Sequence, residues 1–205
     1  MLKKNTAIFE TGIIKNNIKI MRKNFGAKAL LFPMPVLIIG TYDKDGNPDA
    51  MNAAWGGISD DTQISICLSP THKTVDNLKL KGAFTVSVGD AKHVTECDYV
   101  GIVSGHKDAD KFSKAGFHAT KSPNVDAPLI DELPFALECK VISYDDKTCR
   151  LVGEIVNVTA DESVLTDGKI DITKLCPIIY NPSEHTYHSI GGKVGNAFSD
   201  GKKIS

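Results

Sequence analysis

The order of its strand-like segments restricts the fold of this chain more than any other feature. Residues 135–142 and 151–159 both alternate apolar and polar side chains, and the polar turn between them predicts a long antiparallel hairpin. A second hairpin is predicted where the Asp-Gly turn within 43–48 joins the apolar strand 36–42 to a strand over 50–56. The chain lacks the strand–helix–strand alternation that parallel sheets need. The sequence therefore predicts a mainly β, antiparallel barrel with short peripheral helices.

Shorter elements complete the predicted barrel. Strands are expected over 63–68 and 84–88, and the segment between them fits a short helix that ends at Gly82. Thr74 is expected to cap that helix, whose apolar side consists of Val75, Leu78 and Leu80. On the second strand of the long hairpin, alternation predicts one shared face for Val152, Glu154, Val156 and Val158. The remaining predicted elements are short helices within 93–117, a helical turn over 171–175 and a strand over 177–180.

The stretch from Met51 to Leu80 carries the most chemical information. His72, Lys73 and the Thr74 hydroxyl stand at a helix start, where unpaired N–H groups and the positive end of the dipole favour an anion. One strand earlier, amide donors, small residues and a flat apolar ring come from Asn52, Ala53, Ala54 and Trp55. This combination predicts a site for a flat heterocycle on a phosphorylated tail. The same residues also fit a plain helix cap and a packed indole, and residue chemistry alone leaves both interpretations open.

Length and composition limit the class of protein. With 205 residues and 22.1 kDa, the chain is expected to form one domain with a substantial core. A hydrophobic content of 41% and a charged content of 24% are typical of a soluble globular protein. The net charge of −1 gives no basic surface for nucleic acid, and no run approaches the ~20 apolar residues of a membrane helix. Neither nucleic acid nor a membrane is therefore expected as a partner.

Cysteine usage and the first twenty residues bear on the compartment. The five cysteines are odd in number and never form Cys-x-x-Cys, which indicates reduced thiols rather than a disulfide framework or a zinc site. The six histidines are scattered, so no metal site is expected. Residues 1–20 carry several charges and no long apolar stretch, so they do not resemble a secretory signal. A cytoplasmic protein is expected.

Several segments together resemble the flavin reductase-like family, and especially its flavoredoxin branch. No single motif decides this, but the order and spacing of the segments are specific. They are Phe25–Val36, Asn52–Trp55, Ser69–Pro70, His72–Thr74 with Asn77, Phe84–Ser87, Asp98–Gly101, Ser104–Gly105, Asp110–Phe112 and Tyr187–Gly191. The resemblance covers roughly residues 22–200, so a flavin reductase-like domain is expected over 22–205 behind an N-terminal extension, 1–21. Met21 as an alternative start and an arm lying across a partner both remain open for that extension.

The resemblance implies an FMN-binding split barrel with FMN held noncovalently. It further implies reduction of the flavin by NADH, NADPH or a protein donor, transfer of electrons to free flavin, a small acceptor or a redox partner protein, and a homodimer with the flavin at or near the interface. Since the flavin carries the chemistry, no catalytic acid or base is assigned. The cofactor-binding residues that the resemblance implies are Asn52, Ala53, Ala54, Trp55, Ser69, His72, Lys73, Thr74, Asn77 and Ser104.

Roles for these residues follow the family pattern. Asn52 and the two alanines after it are expected at the edge of the isoalloxazine, with Trp55 as part of its wall. The phosphate would lie against Ser69, His72, Lys73 and Thr74, with Asn77 bracing the loop and Ser104 near the flavin. Many relatives carry Arg where His72 or Lys73 stands, so which of the two meets the phosphate remains open.

Three functions are compatible with the sequence. The first is an NAD(P)H-dependent reductase of flavin or another small acceptor. The second is a flavoredoxin-type electron carrier that holds FMN tightly without efficient NAD(P)H turnover. Nothing separates these two, because nicotinamide can stack on an exposed flavin without a recognisable motif. The third, a binding protein without redox turnover, is disfavoured by the number of flavin-associated segments.

Overall fold

The computed structural model describes residues 22–204, and the predicted N-terminal extension, 1–21, lies outside this range. Its strands are β1 (Met34–Pro35), β2 (Leu37–Tyr42), β3 (Pro48–Ala53), β4 (Gly56–Asp60), β5 (Gln63–Cys67), β6 (Ala83–Val88), β7 (Ala119–Lys121), β8 (Pro128–Ile130), β9 (Phe135–Asp145), β10 (Arg150–Ala160), β11 (Leu165–Thr166), β12 (Lys169–Ile170), β13 (Ile178–Asn181) and β14 (Thr186–Ser189). Its helices are α1 (Lys73–Lys81), α2 (Val94–Ile102), α3 (Lys111–Lys114) and α4 (Ile172–Leu175).

Seven of the strands form one antiparallel sheet in the order β3-β2-β6-β9-β10-β5-β4. The two edge strands, β3 and β4, are consecutive in sequence and are joined only by Ala54 and Trp55. Since two residues span only about 7 Å of chain, the sheet must curl until its edges approach each other. This is the antiparallel split barrel that the sequence predicted.

The long hairpin is longer and less regular than the sequence predicted. β9 and β10 pair from Arg150 opposite Asp145 to Ala160 opposite Phe135, with register shifts between Val152 and Gly153 and between Ile155 and Asn157. Each shift is an extra residue in one strand, and an extra residue moves the following side chains to the other face. The prediction of one shared face for Val152, Glu154, Val156 and Val158 is therefore wrong.

Helix α1 follows its predicted course at its C-terminal end and departs from it at its N-terminal end. Gly82 adopts the left-handed conformation with φ of 64°, and its N–H bonds to the carbonyl of Leu78. The N-cap is His72 and makes no side-chain capping bond, so the prediction of Thr74 as the cap is wrong. Thr74 lies inside the first turn and donates its hydroxyl to Asp49 instead. Leu80, predicted on the apolar side, is 59% exposed.

Two hydrophobic clusters fix the elements that surround the site. One fills the barrel and includes Ile39, Ile66 and Phe84. The other packs α2 and α3 on the opposite side of β2 and β3, and includes Ile38, Val100 and Phe112. The hairpin of β13 and β14 pairs with β1 and closes this side. Within residues 22–204, no helix is long and apolar enough to cross a membrane.

Candidate functional site

A small polar cavity of about 200 Å³ lies where the start of α1 faces the loop after α2. Five of the ten residues predicted for the cofactor site line it together, although they come from three separate parts of the chain. These are Asn52, His72, Lys73, Thr74 and Ser104. We call this cavity the anion seat, for the reasons that follow.

Two backbone donors at the start of α1 lack acceptors. The first bond into the helix runs from Val75 N to His72 O at 3.0 Å, and the N–H groups of Lys73 and Thr74 donate to no atom of residues 22–204. Orphan N–H groups at a helix start, together with the helix dipole, favour an anion. Because the cationic side chain of Lys73 lines the same cavity, the seat offers both backbone donors and charge.

A buried network supports the seat from behind. The carboxylate of Asp49 accepts the Thr74 hydroxyl at 2.9 Å and lies 3.2 Å from Nζ of Lys111, which also donates to the carbonyl of Val103 at 3.3 Å. The side chains of Asp49 and Lys111 are 9% and 4% exposed. Neither residue was among the predicted site residues. The available signal was the segment Asp110–Phe112, which resembles the family and contains Lys111.

Burial and neighbouring charged groups act on the imidazole of His72. Partial burial, together with the nearby Lys111 and His106, lowers the pKa of His72 below its usual value, against the opposing effect of Asp49. The imidazole is therefore poised to gain a proton when an anion enters beside it.

A second cavity, of about 390 Å³, continues from the anion seat, because Asn52, Gly101 and Ile102 line both. Asn52 donates through Nδ2 to the carbonyl of Cys97 at 3.1 Å, which fixes its side chain against α2. A Cβ on Gly101 would lie 2.9 Å from the Cβ of Asn52, so only glycine allows this approach. The hydroxyl of Tyr187 donates to Asp98 at 2.7 Å on the far wall, and burial with this bond raises the pKa of Tyr187.

A third, mostly apolar groove of about 470 Å³ shares Ala54 with the second cavity. Residues 28–31 line this groove together with Gly56 and Trp55, and Trp55 is 58% exposed. The three spaces therefore follow one another along β3 and its continuation, from a cationic end at α1 to an apolar end at Trp55. This arrangement matches a ligand with an anionic group at one end and a flat apolar group at the other.

Comparison with known proteins shows the family of this chain. The family model for the flavin reductase-like domain matches residues 29–187. The chain belongs to the flavin reductase-like family. Flavoredoxin of Desulfovibrio vulgaris (Miyazaki F) is similar to it with a TM-score of 0.84 and 38% identity, covering 88% of this chain and all of that one. Flavoredoxin from Methanosarcina acetivorans has a TM-score of 0.82 and 25% identity, covering 91% of this chain and all of that one.

A further relative also covers most of the chain. An uncharacterized protein of Methanothermobacter thermautotrophicus is 26% identical over 178 residues, which are 81% of this chain and 82% of the relative. The flavoredoxin similarities and the family match together place the chain in the flavoredoxin branch of the flavin reductase-like family, as the sequence predicted.

Three of the predicted site residues lie outside the cavities of this flavin reductase-like domain. Ala53 is buried in the barrel wall, and Ser69 bonds through its hydroxyl to Thr71 at 2.9 Å. Asn77 is buried and donates to the Thr41 hydroxyl at 3.0 Å, which fixes α1 to β2. Among residues 22–204, no group of three or more His, Cys, Asp or Glu side chains could hold a metal ion.

Proposed function

We propose that this protein binds FMN and passes electrons from NADH or NADPH to flavin or another small acceptor. The observation that carries the proposal is the connected path from the cationic anion seat, past Asn52 and Ala54, to the apolar groove at Trp55. FMN has the same polarity along its length, with a phosphate at one end and a flat ring at the other.

The residues of the seat fit the phosphate of FMN. The backbone N–H groups of Lys73 and Thr74 and the Lys73 ammonium are the proposed donors, with His72 at the edge. The Thr74 hydroxyl is held by Asp49, so the backbone rather than the hydroxyl of Thr74 would meet the phosphate. Ser104, exposed on the facing loop, would close the seat.

The residues of the second and third spaces fit the ring. The side chain of Asn52 is already oriented by Cys97, and the small Ala54 leaves its backbone accessible. Trp55 would supply a flat apolar wall. Bound FMN would supply the redox chemistry itself, and the chain's residues would bind it, orient it and leave one side open to a second substrate. No residue is assigned as a catalytic acid or base.

A flavoredoxin-type electron carrier is the second candidate function. It is favoured by one observation, that the two similar structures named above are flavoredoxins at 38% and 25% identity. In that case the protein would hold FMN tightly and exchange electrons with a redox partner protein rather than turn over NAD(P)H efficiently.

A homodimer with the flavin near its interface is also proposed. Large apolar side chains are exposed in the two segments that line the groove and near these segments in sequence, and exposed apolar groups of this kind favour a protein partner. They are Phe25, Leu31, Phe32, Trp55 and Ile58. A solution mass of one chain by light scattering would contradict the dimer and leave the flavin proposal intact.

The function is tested by an absorbance spectrum of the purified protein, followed by anaerobic addition of NADH and then of NADPH. Flavin bands that bleach within seconds would establish a reductase and identify its donor. Bands that persist until a chemical reductant is added would favour the electron carrier. A colourless protein that takes up no added FMN would contradict both.

A further inference from the structure

The buried ion pair of Lys111 and Asp49 lies directly behind the anion seat. Lys111 and Asp49 are both buried, and each would be costly to leave unpaired. Both oxygens of Asp49 are used, one by Lys111 and the other by the Thr74 hydroxyl. Since Lys111 itself lines the seat, its charge lies beside whatever ligand occupies the cavity.

The same pair holds the loop that faces the helix start. Lys111 donates to the carbonyl of Val103, immediately before Ser104 and Gly105. A Cβ on Gly105 would lie 2.9 Å from Asp49 Oδ1 and 3.1 Å from the Cβ of Lys73, so the loop is packed directly against the pair and the seat. The position of the loop and the charge of the seat therefore depend on the same two side chains.

We propose that Asp49 and Lys111 are positioning residues that set the preference of this site for a phosphorylated over an unphosphorylated flavin. The inference rests on the proposed function, because it assigns the seat to the phosphate of FMN. In the intact pair the charges cancel, and the phosphate meets the Lys73 ammonium and the free N–H groups. Removing Lys111 leaves the Asp49 carboxylate unbalanced beside the phosphate, whereas removing the charge of Asp49 leaves an extra cation there.

The test is the ratio of the dissociation constants for riboflavin and FMN, measured by fluorescence titration of the apoprotein of the full chain. Riboflavin lacks the phosphate, so a general loss of structure weakens both ligands and leaves the ratio unchanged. We expect Lys111→Met to lower the preference for FMN by about tenfold, because it leaves an unbalanced negative charge beside the phosphate. We expect Asp49→Asn to raise the preference severalfold, because it leaves an extra positive charge there. The double variant Asp49→Asn/Lys111→Met is expected to return close to the wild-type ratio.

The opposite signs distinguish this role from a structural one. If both single variants lower the ratio, or neither changes it, the inference is wrong even though FMN binds. If Lys111→Met does not fold, Asp49→Asn and the double variant still decide, because Asp49→Asn must raise the ratio and the double variant must return it towards wild type. A wild-type protein that binds neither ligand would contradict the proposed function itself, and the inference with it.

Discussion

The hydroxyl of Tyr187 donates to a carboxylate oxygen of Asp98 at 2.7 Å, across 89 positions of the chain. The bond ties the hairpin of β13 and β14 to helix α2, on the far wall of the second cavity. Asn52 Nδ2 lies 3.5 Å from the same hydroxyl. The orientation of the Asn52 side chain therefore depends on contacts from two distant elements, α2 and β14.

Replacing Tyr187 with Phe should weaken the binding of FMN and riboflavin equally. The change removes the donor to Asp98 and one contact of Asn52, and a lost bond to a charged group costs about 1.5–3 kcal/mol where it is buried. Because the bond between Tyr187 and Asp98 is only partly buried, we expect a smaller loss, about 1–2 kcal/mol of binding free energy for both ligands by titration. Tyr180→Phe is the matched control, since Tyr180 lines the same cavity and its hydroxyl makes no hydrogen bond to residues 22–204. An effect on FMN alone would contradict this placement of the ring.

Replacing Lys73 with Ala should weaken FMN and spare riboflavin. Lys73 lines the anion seat, and a charge-assisted hydrogen bond is worth about 1.5–3 kcal/mol. We expect a loss of FMN affinity of that size in titration, with riboflavin affinity unchanged. Lys79→Ala on the same helix is the control, because Lys79 pairs with Asp146 at the other end of α1. Unchanged FMN affinity in the Lys73 variant would show that the phosphate lies elsewhere.

The barrel was predictable because its signals are local. Alternation and turn chemistry placed the hairpins, and Gly82 marked the end of α1. The two bulges of the long hairpin were not predictable, since a bulge is set by the partner strand rather than by alternation. For the candidate site, helix-start chemistry pointed to the segment around His72 and Lys73, which lines one cavity with Asn52 and Ser104.

The rest of the site depends on contacts across long sequence separations. Lys111 was missed as a site residue because its role depends on Asp49, 62 positions earlier, and nothing local announces that pairing. Thr74 was misread as a cap for the same reason, because its hydroxyl bonds to Asp49 rather than to the helix. Burial of a polar pair is a tertiary fact, and the sequence shows Lys111 only as one of several charged residues in a polar segment.

The affinity for FMN should depend on pH through His72. Burial and the nearby Lys111 and His106 lower the pKa of His72 in the free protein, and a bound phosphate would raise it by favouring the imidazolium. The contribution of His72 to FMN binding is then fully present below the pKa that His72 has in the free protein. It is lost as the pH rises through the higher pKa that His72 has in the complex. The phosphate of FMN itself titrates at pH ~6, and this titration affects binding to any variant. The pH profile of the wild type must therefore be compared with that of His72→Asn. Parallel pH profiles for the two proteins would contradict a role for His72.

The last prediction concerns acid stability of the barrel. Glu138 on β9 is fully buried, and its carboxylate accepts hydrogen bonds from Asn157 at 2.6 Å, from Asn124 at 3.0 Å and from Ser122. Burial opposes ionisation, but these bonds outweigh it and lower the pKa of Glu138 below its usual value of 4.5. The ionised group therefore stabilises the fold above its unfolded pKa, and this contribution is lost as pH falls through the lower folded value.

Glu138→Gln should reduce the free energy of unfolding by about 1.5–3 kcal/mol near neutral pH, the usual worth of hydrogen bonds to a charged group. The NH2 group of the glutamine would also face the side-chain donor of Asn124 or Asn157, so one of these hydrogen bonds is lost. Urea denaturation should show the gap between variant and wild type narrowing as pH falls below about 4.5, because wild type then loses the same ionised acceptor. Glu154→Gln, an exposed position on the neighbouring strand, is the control and should track wild type at every pH. A gap for Glu138→Gln that stays constant down to pH ~3 would mean that the carboxylate's charge contributes nothing to stability.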